Sequence, residues 1–266
     1  VLVALSGGLD STTVLALAVR GSGAGLVKAL LLPEKQGNPE AMPYAQKAAA
    51  WAGVETITQD ISPVLQSLGT YDFILPRLPT RAVRAFAFRT YFRARRTNPY
   101  EELIDGGGDE MMRHGFALFN IKQRARMVVE YLVAEQRNLL VVGAAHKSED
   151  LVGLYVKFGV DDSADLMPLK NFYRTQTLRL AEYLGVPEEI RQRTPNPDFI
   201  PGVNDKYQDL LGIDTEKLDL LLYGIEHGMS DEELTGQLGL EMVKVSEIRR
   251  LVEETEHMRR PSQAPG

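Results

Sequence analysis

Short apolar runs alternate with stretches of helical periodicity, and that alternation restricts the possible folds most. Residues 1–5 (VLVAL) lead into an amphipathic stretch at 12–20. Residues 26–32 (LVKALLL) lead into 39–52, which Gly53 stops, and 54–61 (VETITQDI) follows. A helical stretch at 120–136 precedes another β-rich run at 138–143. Runs this short and continuously apolar suit strands covered on both faces. The predicted fold is α/β, a doubly wound parallel sheet with right-handed crossovers. Ligands in such sheets bind beyond the carboxyl ends of the strands.

The C-terminal third changes character. Helices are predicted at 174–184, 215–227, 230–238 and 241–257, giving a helical part over about 214–258. Ser230 and Glu233 have capping-box spacing. Residues 194–213, rich in Pro, Gly, Asn and Asp, read as one long loop of the kind that covers or binds. No internal repeat divides the chain, so 1–266 reads as one domain. The tail from 260 reads as frayed. Because residue 1 already opens a strand, further residues are expected to precede it in the native protein.

The loop after the first strand carries the strongest chemical signal: Ser6-Gly7-Gly8-Leu9-Asp10-Ser11-Thr12. Two glycines let the backbone turn tightly and approach a phosphate. The helix that follows presents free N–H groups and a positive dipole end. Asp10 would repel a bare phosphate, so it implies Mg²⁺ between them. The loop lacks the lysine of a Walker-type motif. The plain alternative is a glycine-rich βα turn with no ligand.

Composition removes several chemistries. The chain has no cysteine, so disulfides, Cys-ligated zinc, iron–sulfur clusters and thiolate chemistry are excluded. With 36 acidic against 30 basic residues the net charge is −6, which argues against a general nucleic-acid surface. No apolar run reaches the ~20 residues of a membrane span, and a cytoplasmic protein is expected. The four histidines, His114, His146, His227 and His257, show no paired metal-ligand spacing. His146 reads as shaping a turn, and His227 as a helix C-terminus before Gly228. Lys147 reads as a surface residue or a phosphate contact.

Residues 71–119 resist assignment. Seven arginines, from Arg77 to Arg96, fall in 20 residues without an acid, interleaved with Phe86, Phe88, Tyr91 and Phe92. An anion- or RNA-binding face is one reading. The plainer one is a helix whose aromatics pack on the sheet while its arginines are solvated. Gly106-Gly107-Gly108 after Asp105 reads as a turn.

The glycine loop resembles that of the N-type ATP pyrophosphatases, and further segments single out the ammonia-dependent NAD synthetases. Asn120-Ile121-Lys122-Gln123-Arg124-Ala125-Arg126-Met127 is similar to their N-x-x-x-R-x-R-M helix. Gly143-Ala144-Ala145-His146-Lys147-Ser148-Glu149 is similar to G-T-x-(N/H)-x-x-E. Gly153-Leu154-Tyr155-Val156-Lys157-Phe158-Gly159, Asp165-Leu166-Met167-Pro168-Leu169 and Pro195-Asn196-Pro197-Asp198-Phe199 follow in family order. The tail Thr255-Glu256-His257-Met258-Arg259-Arg260-Pro261 resembles x-x-H-K-R-x-P.

The resemblance implies an adenine nucleotide α-hydrolase-like sheet and a homodimer. It implies ATP-dependent amidation of deamido-NAD to NAD with free ammonia, through an adenylated carboxylate, releasing AMP and pyrophosphate. No membrane or nucleic-acid partner is implied. Asp10 and Glu149 would hold Mg²⁺, and together with Lys157 and Asp165 they would form the catalytic set. Ser6, Gly7, Gly8, Ser11, Leu32, Ala144, Arg174 and Asn196 would bind ATP, with Pro33 along the adenine. Arg124, Lys157, Asp165 and His257 would contact deamido-NAD. The loop 196–209 matches a lid around ATP. Asp10→Ala is expected to stop pyrophosphate release with folding largely intact.

The chain departs from the family pattern at Ala144 (for Thr), Val160 (for Asp), Arg174 (for Lys), Asn196 (for Ser or Thr) and Met258 (for Lys). These departures keep two alternatives open, an enzyme amidating another carboxylate and an inactive nucleotide-binding homologue, and the arginine-rich stretch keeps open a third, a tRNA-modifying pyrophosphatase.

Overall fold

The computed structural model describes residues 1–95, 98–104, 106, 108–196 and 202–260. Strand β1 (Leu2–Ala4), helix α1 (Leu9–Ser22), strand β2 (Lys28–Leu31), helix α2 (Ala41–Ala52) and strand β3 (Glu55–Thr58) follow in order. β2 lies between β1 and β3, and every pairing is parallel. Isolated parallel bridges extend the sheet beyond β1, from Leu2 to Val141 and from Val142 to Leu166.

The strand predicted at 138–143 is reduced to those bridges. Asn138 is the left-handed C-cap (φ 53°) of the long helix before it, and the Leu139 amide still bonds to Ala134. Only the residues after Leu139 can extend, and they lock onto Leu2 through its amide to Leu140 (2.7 Å) and the Val142 amide to its carbonyl (2.9 Å).

The remaining helices are α3 (Ser62–Ser67), α4 (Ile74–Arg77), α5 (Arg81–Arg95), α6 (Pro99–Ile104), α7 (Glu110–Arg137), α8 (Lys147–Val152) and α9 (Arg174–Tyr183). After them come α10 (Glu188–Arg191), α11 (Lys206–Leu211), α12 (Thr215–Glu226), α13 (Asp231–Leu238), α14 (Met242–Glu254) and α15 (Glu256–Arg259).

Strand periodicity decides what covers each face. Val3, Ala29 and Leu31 face α1, α2, α9 and α10. Leu2 and Leu30 face Val133 and Ala134 of α7. The sheet is therefore doubly wound. The chain crosses over one face through α1 and α2, then returns along the other through α7. This reversal falls between β1 and residue 141, the position at which open α/β sheets form a ligand crevice.

A second core joins Val152 and Tyr173 to α11–α14 through Tyr207, Leu211, Leu218, Leu222 and Ile248. The predicted loop 194–213 contains α11, because Asp205 caps the Tyr207 and Gln208 amides. The predicted helix 241–257 breaks at Thr255, whose buried hydroxyl donates to the Leu251 carbonyl.

The arginine-rich stretch forms α5. Its Phe88 and Phe92 pack on Met112 and Phe116 of α7, not on the sheet. The reason is that α7 runs well beyond its predicted start and offers an apolar face first. Arg95 pairs with Glu102 and Asp109. Phe86 is 71% exposed. Arg96, Asp105, Gly107, the motif residues Pro197-Asp198-Phe199 and the tail from Pro261 lie outside the described residues. Among the described residues no helix is long and apolar enough to cross a membrane.

Candidate active site

A cleft of about 470 Å³ opens beyond the carboxyl ends of β1 and β2, at the switch point. The loop between β1 and α1 forms its floor. Gly7 adopts a left-handed conformation (φ 74°), and Gly8 caps α1 without a side chain. The first N–H groups of α1 thus face outward with no side-chain acceptor from the cap. Ser6 and Ser11 hydroxyls bond to each other at 3.1 Å, and Thr12 donates to the Gly8 carbonyl at 2.8 Å.

Asp10 on α1 meets Glu149 on α8. Together with His146 they place ligand atoms within 4.8 Å of one another. Two cations join them: Arg174 donates to Asp10, and Lys206 donates to Glu149. Burial works to raise both carboxyls. The Arg174 charge beside Asp10, and His146 and Lys206 beside Glu149, outweigh it and hold both below their ordinary values. Burial lowers His146, whose Nε2 lies 3.1 Å from the Tyr207 hydroxyl and whose Nδ1 has no partner among the described residues.

Ten of the predicted ATP and metal residues line this cleft: Ser6, Gly8, Asp10, Ser11, Leu32, Pro33, Ala144, Glu149, Arg174 and Asn196. Gly7 instead turns the loop against α2. The Asn196 side-chain oxygen is buried and has no hydrogen-bond partner among the described residues. The predicted dinucleotide residues lie apart from that lining. Lys157 Nζ donates to the carbonyls of His257 (2.7 Å) and Arg260 (3.1 Å), and Arg124 Nε donates to the Lys157 carbonyl (3.3 Å). These three therefore form one cluster. Asp165 does not join it; its carboxylate accepts from the Val141 amide at 2.8 Å. Lys147 pairs with Glu226.

Sequence reasoning missed four contributors. Lys206 follows the Asp205 cap, and that cap could have signalled its helix. Arg193 donates to the Gly7 carbonyl at 2.8 Å, with its guanidinium 4.1 Å from the Tyr44 ring centroid, and no local pattern announces it. Glu130 and Asp161 complete the wall. Burial, with the Glu149 charge, raises Asp161 to about 6.

Burial raises Glu130 to about 8, Asp161 and Asp165 adding to the shift and the Ala4 backbone opposing it. The folded protein thus holds this proton more tightly than the unfolded chain does. The resulting stability is complete below about 4.5 and is lost as pH rises through about 8. Glu130→Gln is expected to match the wild-type Tm near about pH 5 and to exceed it at about pH 9. Thermal melts across that range check this; parallel curves would refute it.

The NAD synthase family model matches residues 1–74 and 96–262. The unmatched stretch holds all of α5. An NH(3)-dependent NAD(+) synthetase of Coprothermobacter proteolyticus is 37% identical over 240 residues, covering 88% of this chain and 80% of the relative. Two solved structures share the fold. The NMN synthetase from Francisella tularensis has 22% identity and a TM-score of 0.68, over 99% of this chain and 88% of that one. The NH3-dependent NAD synthetase from Campylobacter jejuni in complex with the nitrate ion has 20% identity and a TM-score of 0.68, over 100% of this chain and 88% of that one.

Proposed function

The chain belongs to the NAD synthase family, and from that premise we propose that it converts deamido-NAD to NAD with ATP and ammonia. The observation that carries this reading is the meeting of Asp10 and Glu149 beside a glycine loop at the sheet's switch point.

The nicotinate carboxylate attacks the α-phosphorus of ATP, and the bond to the pyrophosphate oxygen breaks. Ammonia then attacks the adenylated carbonyl. A C–N bond forms, the C–O bond to AMP breaks, and the nitrogen gives up a proton. No side-chain nucleophile is required; the site orients reactants and balances charge. The α1 N–H groups, with Ser6 and Ser11, receive the departing pyrophosphate. Arg174 and Lys206 carry positive charge to the same end of the cleft. Leu32 and Pro33 line the adenine side. Arg124, Lys157 and His257 serve the dinucleotide, while Asp165 braces the sheet edge at Val141.

The donor set fits a magnesium ion, since two carboxylates converge within reach of one hard cation. Bound there, Mg²⁺ would offset charge on the phosphate oxygens. Asp10 and Glu149 are the residues that would hold it. One functional domain, working in the cytoplasm as a homodimer, completes the proposal, and sedimentation of the purified protein checks the assembly.

The decisive test supplies ATP, Mg²⁺, ammonium and deamido-NAD to the purified protein. Equal amounts of AMP, pyrophosphate and NAD are expected. A folded protein that produces none of them would refute the reading.

A further inference from the structure

Helix α12 reaches the site from the C-terminal core and presents two carboxylates seven residues apart, on one face. Asp219 is buried, and among the described residues it forms no ion pair. Its Oδ1 accepts from the Ser148 hydroxyl at 2.5 Å, and its Oδ2 accepts from the Thr175 amide at 2.7 Å. The Ser148 oxygen in turn accepts from the Arg174 amide at 2.9 Å. Glu226 accepts from the Tyr173 hydroxyl and pairs with Lys147 at 2.8 Å.

Both carboxylates therefore bridge the same two places. One is the start of α8, at Lys147 and Ser148; the other is the start of α9, at Tyr173 and Thr175. Those starts carry Glu149 and Arg174. The Lys147 amide also donates to the Phe172 carbonyl at 2.9 Å, which ties the backbone of α8's first residue to the segment just before α9. A buried carboxylate without a cation is costly, and an apolar side chain would serve packing alone better. Asp219 is held by hydrogen bonds and by the amide end of α9.

We propose that Asp219 and Glu226 form a two-point clamp that sets the spacing between Glu149 and Arg174, and so act as positioning residues for the adenylation step. This rests on the reading that Glu149 and Arg174 work at the ATP phosphates. In Asp219→Asn the amide NH₂ must face one of two donors, so one helix start loses its anchor. Glu226→Gln weakens the second point at a half-exposed position.

The test measures kcat and the KM values for ATP and deamido-NAD, at saturating ammonium, for Asp219→Asn, Glu226→Gln, Ser148→Ala and, as a control, Leu234→Val. Leu234 sits in the same core on α13, packed against Gly224 of α12. Asp219→Asn is expected to lower kcat about 100-fold, the scale set by a misplacement of roughly 1 Å, with the KM for deamido-NAD unchanged. Glu226→Gln and Ser148→Ala are expected to lower kcat about tenfold each, at the lower end of the same positioning effect. Leu234→Val is expected to lower Tm and keep kcat. If Asp219→Asn does not fold, Glu226→Gln and Ser148→Ala decide the matter. Wild-type kcat in the folded clamp variants, with Glu149→Gln inactive, overturns the clamp. So does a kcat loss in Leu234→Val that matches theirs at equal loss of Tm. Full activity in Glu149→Gln instead overturns the reading of the site beneath it.

Discussion

Glu149→Gln is expected to give a folded protein whose output of AMP and pyrophosphate falls about 10²–10³-fold or more, the scale set by removing one preorganised group from a group-transfer site. Glutamine keeps the shape but loses the charge that Lys206 pairs with and that a metal requires. A coupled pyrophosphate assay reads the loss, and near-wild-type output would refute the assignment. Asp10 behaves differently in one respect. Read from sequence it is an exposed ligand whose removal spares folding, but its partner changes that expectation. The Arg174 side chain is only 8% exposed, so Asp10→Ala leaves a buried guanidinium without its carboxylate. Breaking such a pair costs about 3 kcal/mol. Asp10→Ala should therefore lose both activity and stability, while Asp10→Asn, which keeps a hydrogen-bond acceptor for Arg174, should lose mainly activity. Urea midpoints for the two variants separate these effects.

The parts of the site that were legible share a property: their signals are local. The glycine motif is seven consecutive residues that span the turn after β1 and the first turn of α1, and Glu149 stands in a short segment with its own pattern. The continuously apolar runs at β1 and β2 likewise report burial directly, whereas the more polar β3 lies largely exposed at the sheet edge. The cations could not be read in this way. Lys206 reaches Glu149 across 57 positions and Arg193 reaches Gly7 across 186. No periodicity links such pairs; only the completed fold brings them together.

The aromatic positions of α5 illustrate a different limit. The burial of Phe88 and Phe92 followed from helical spacing, but the partner did not, because an apolar face at 88 and 92 fits a sheet or a helix equally well. The early start of α7, with Asp109 as its N-cap, decided between them. The edge run at 138–143 failed for a related reason. A left-handed cap at Asn138 removes residues from a strand that composition alone would extend.

Gly7→Ala is expected to be strongly destabilising, and for a reason distinct from ligand binding. A Cβ at Gly7 would lie 2.4 Å from the Ala45 nitrogen and 2.6 Å from the Tyr44 carbonyl carbon, both backbone atoms of α2. Neither can yield without moving the helix. The left-handed φ of 74° adds strain of about 1–3 kcal/mol, and the clash adds a comparable overpacking cost. Moving α2 would also shift Tyr44 from beneath Arg193, so the guanidinium that holds the Gly7 carbonyl loses its support. Gly8 makes the contrast. Its φ is −84°, and an added Cβ would meet only the Ser6 hydroxyl, at 3.5 Å, an ordinary contact. Gly8 lines the cleft, whereas Gly7 packs behind it. Gly8→Ala is therefore expected to keep Tm within a few degrees while raising the KM for ATP, because the methyl group stands where a phosphate must approach. Gly7→Ala is expected to lower Tm by roughly 10 °C or more, or to prevent folding. Melting curves and ATP kinetics on the two variants check the division, and equal Tm values would refute it. Two adjacent glycines then do separate work, one shaping the loop against α2 and the other leaving room for the triphosphate.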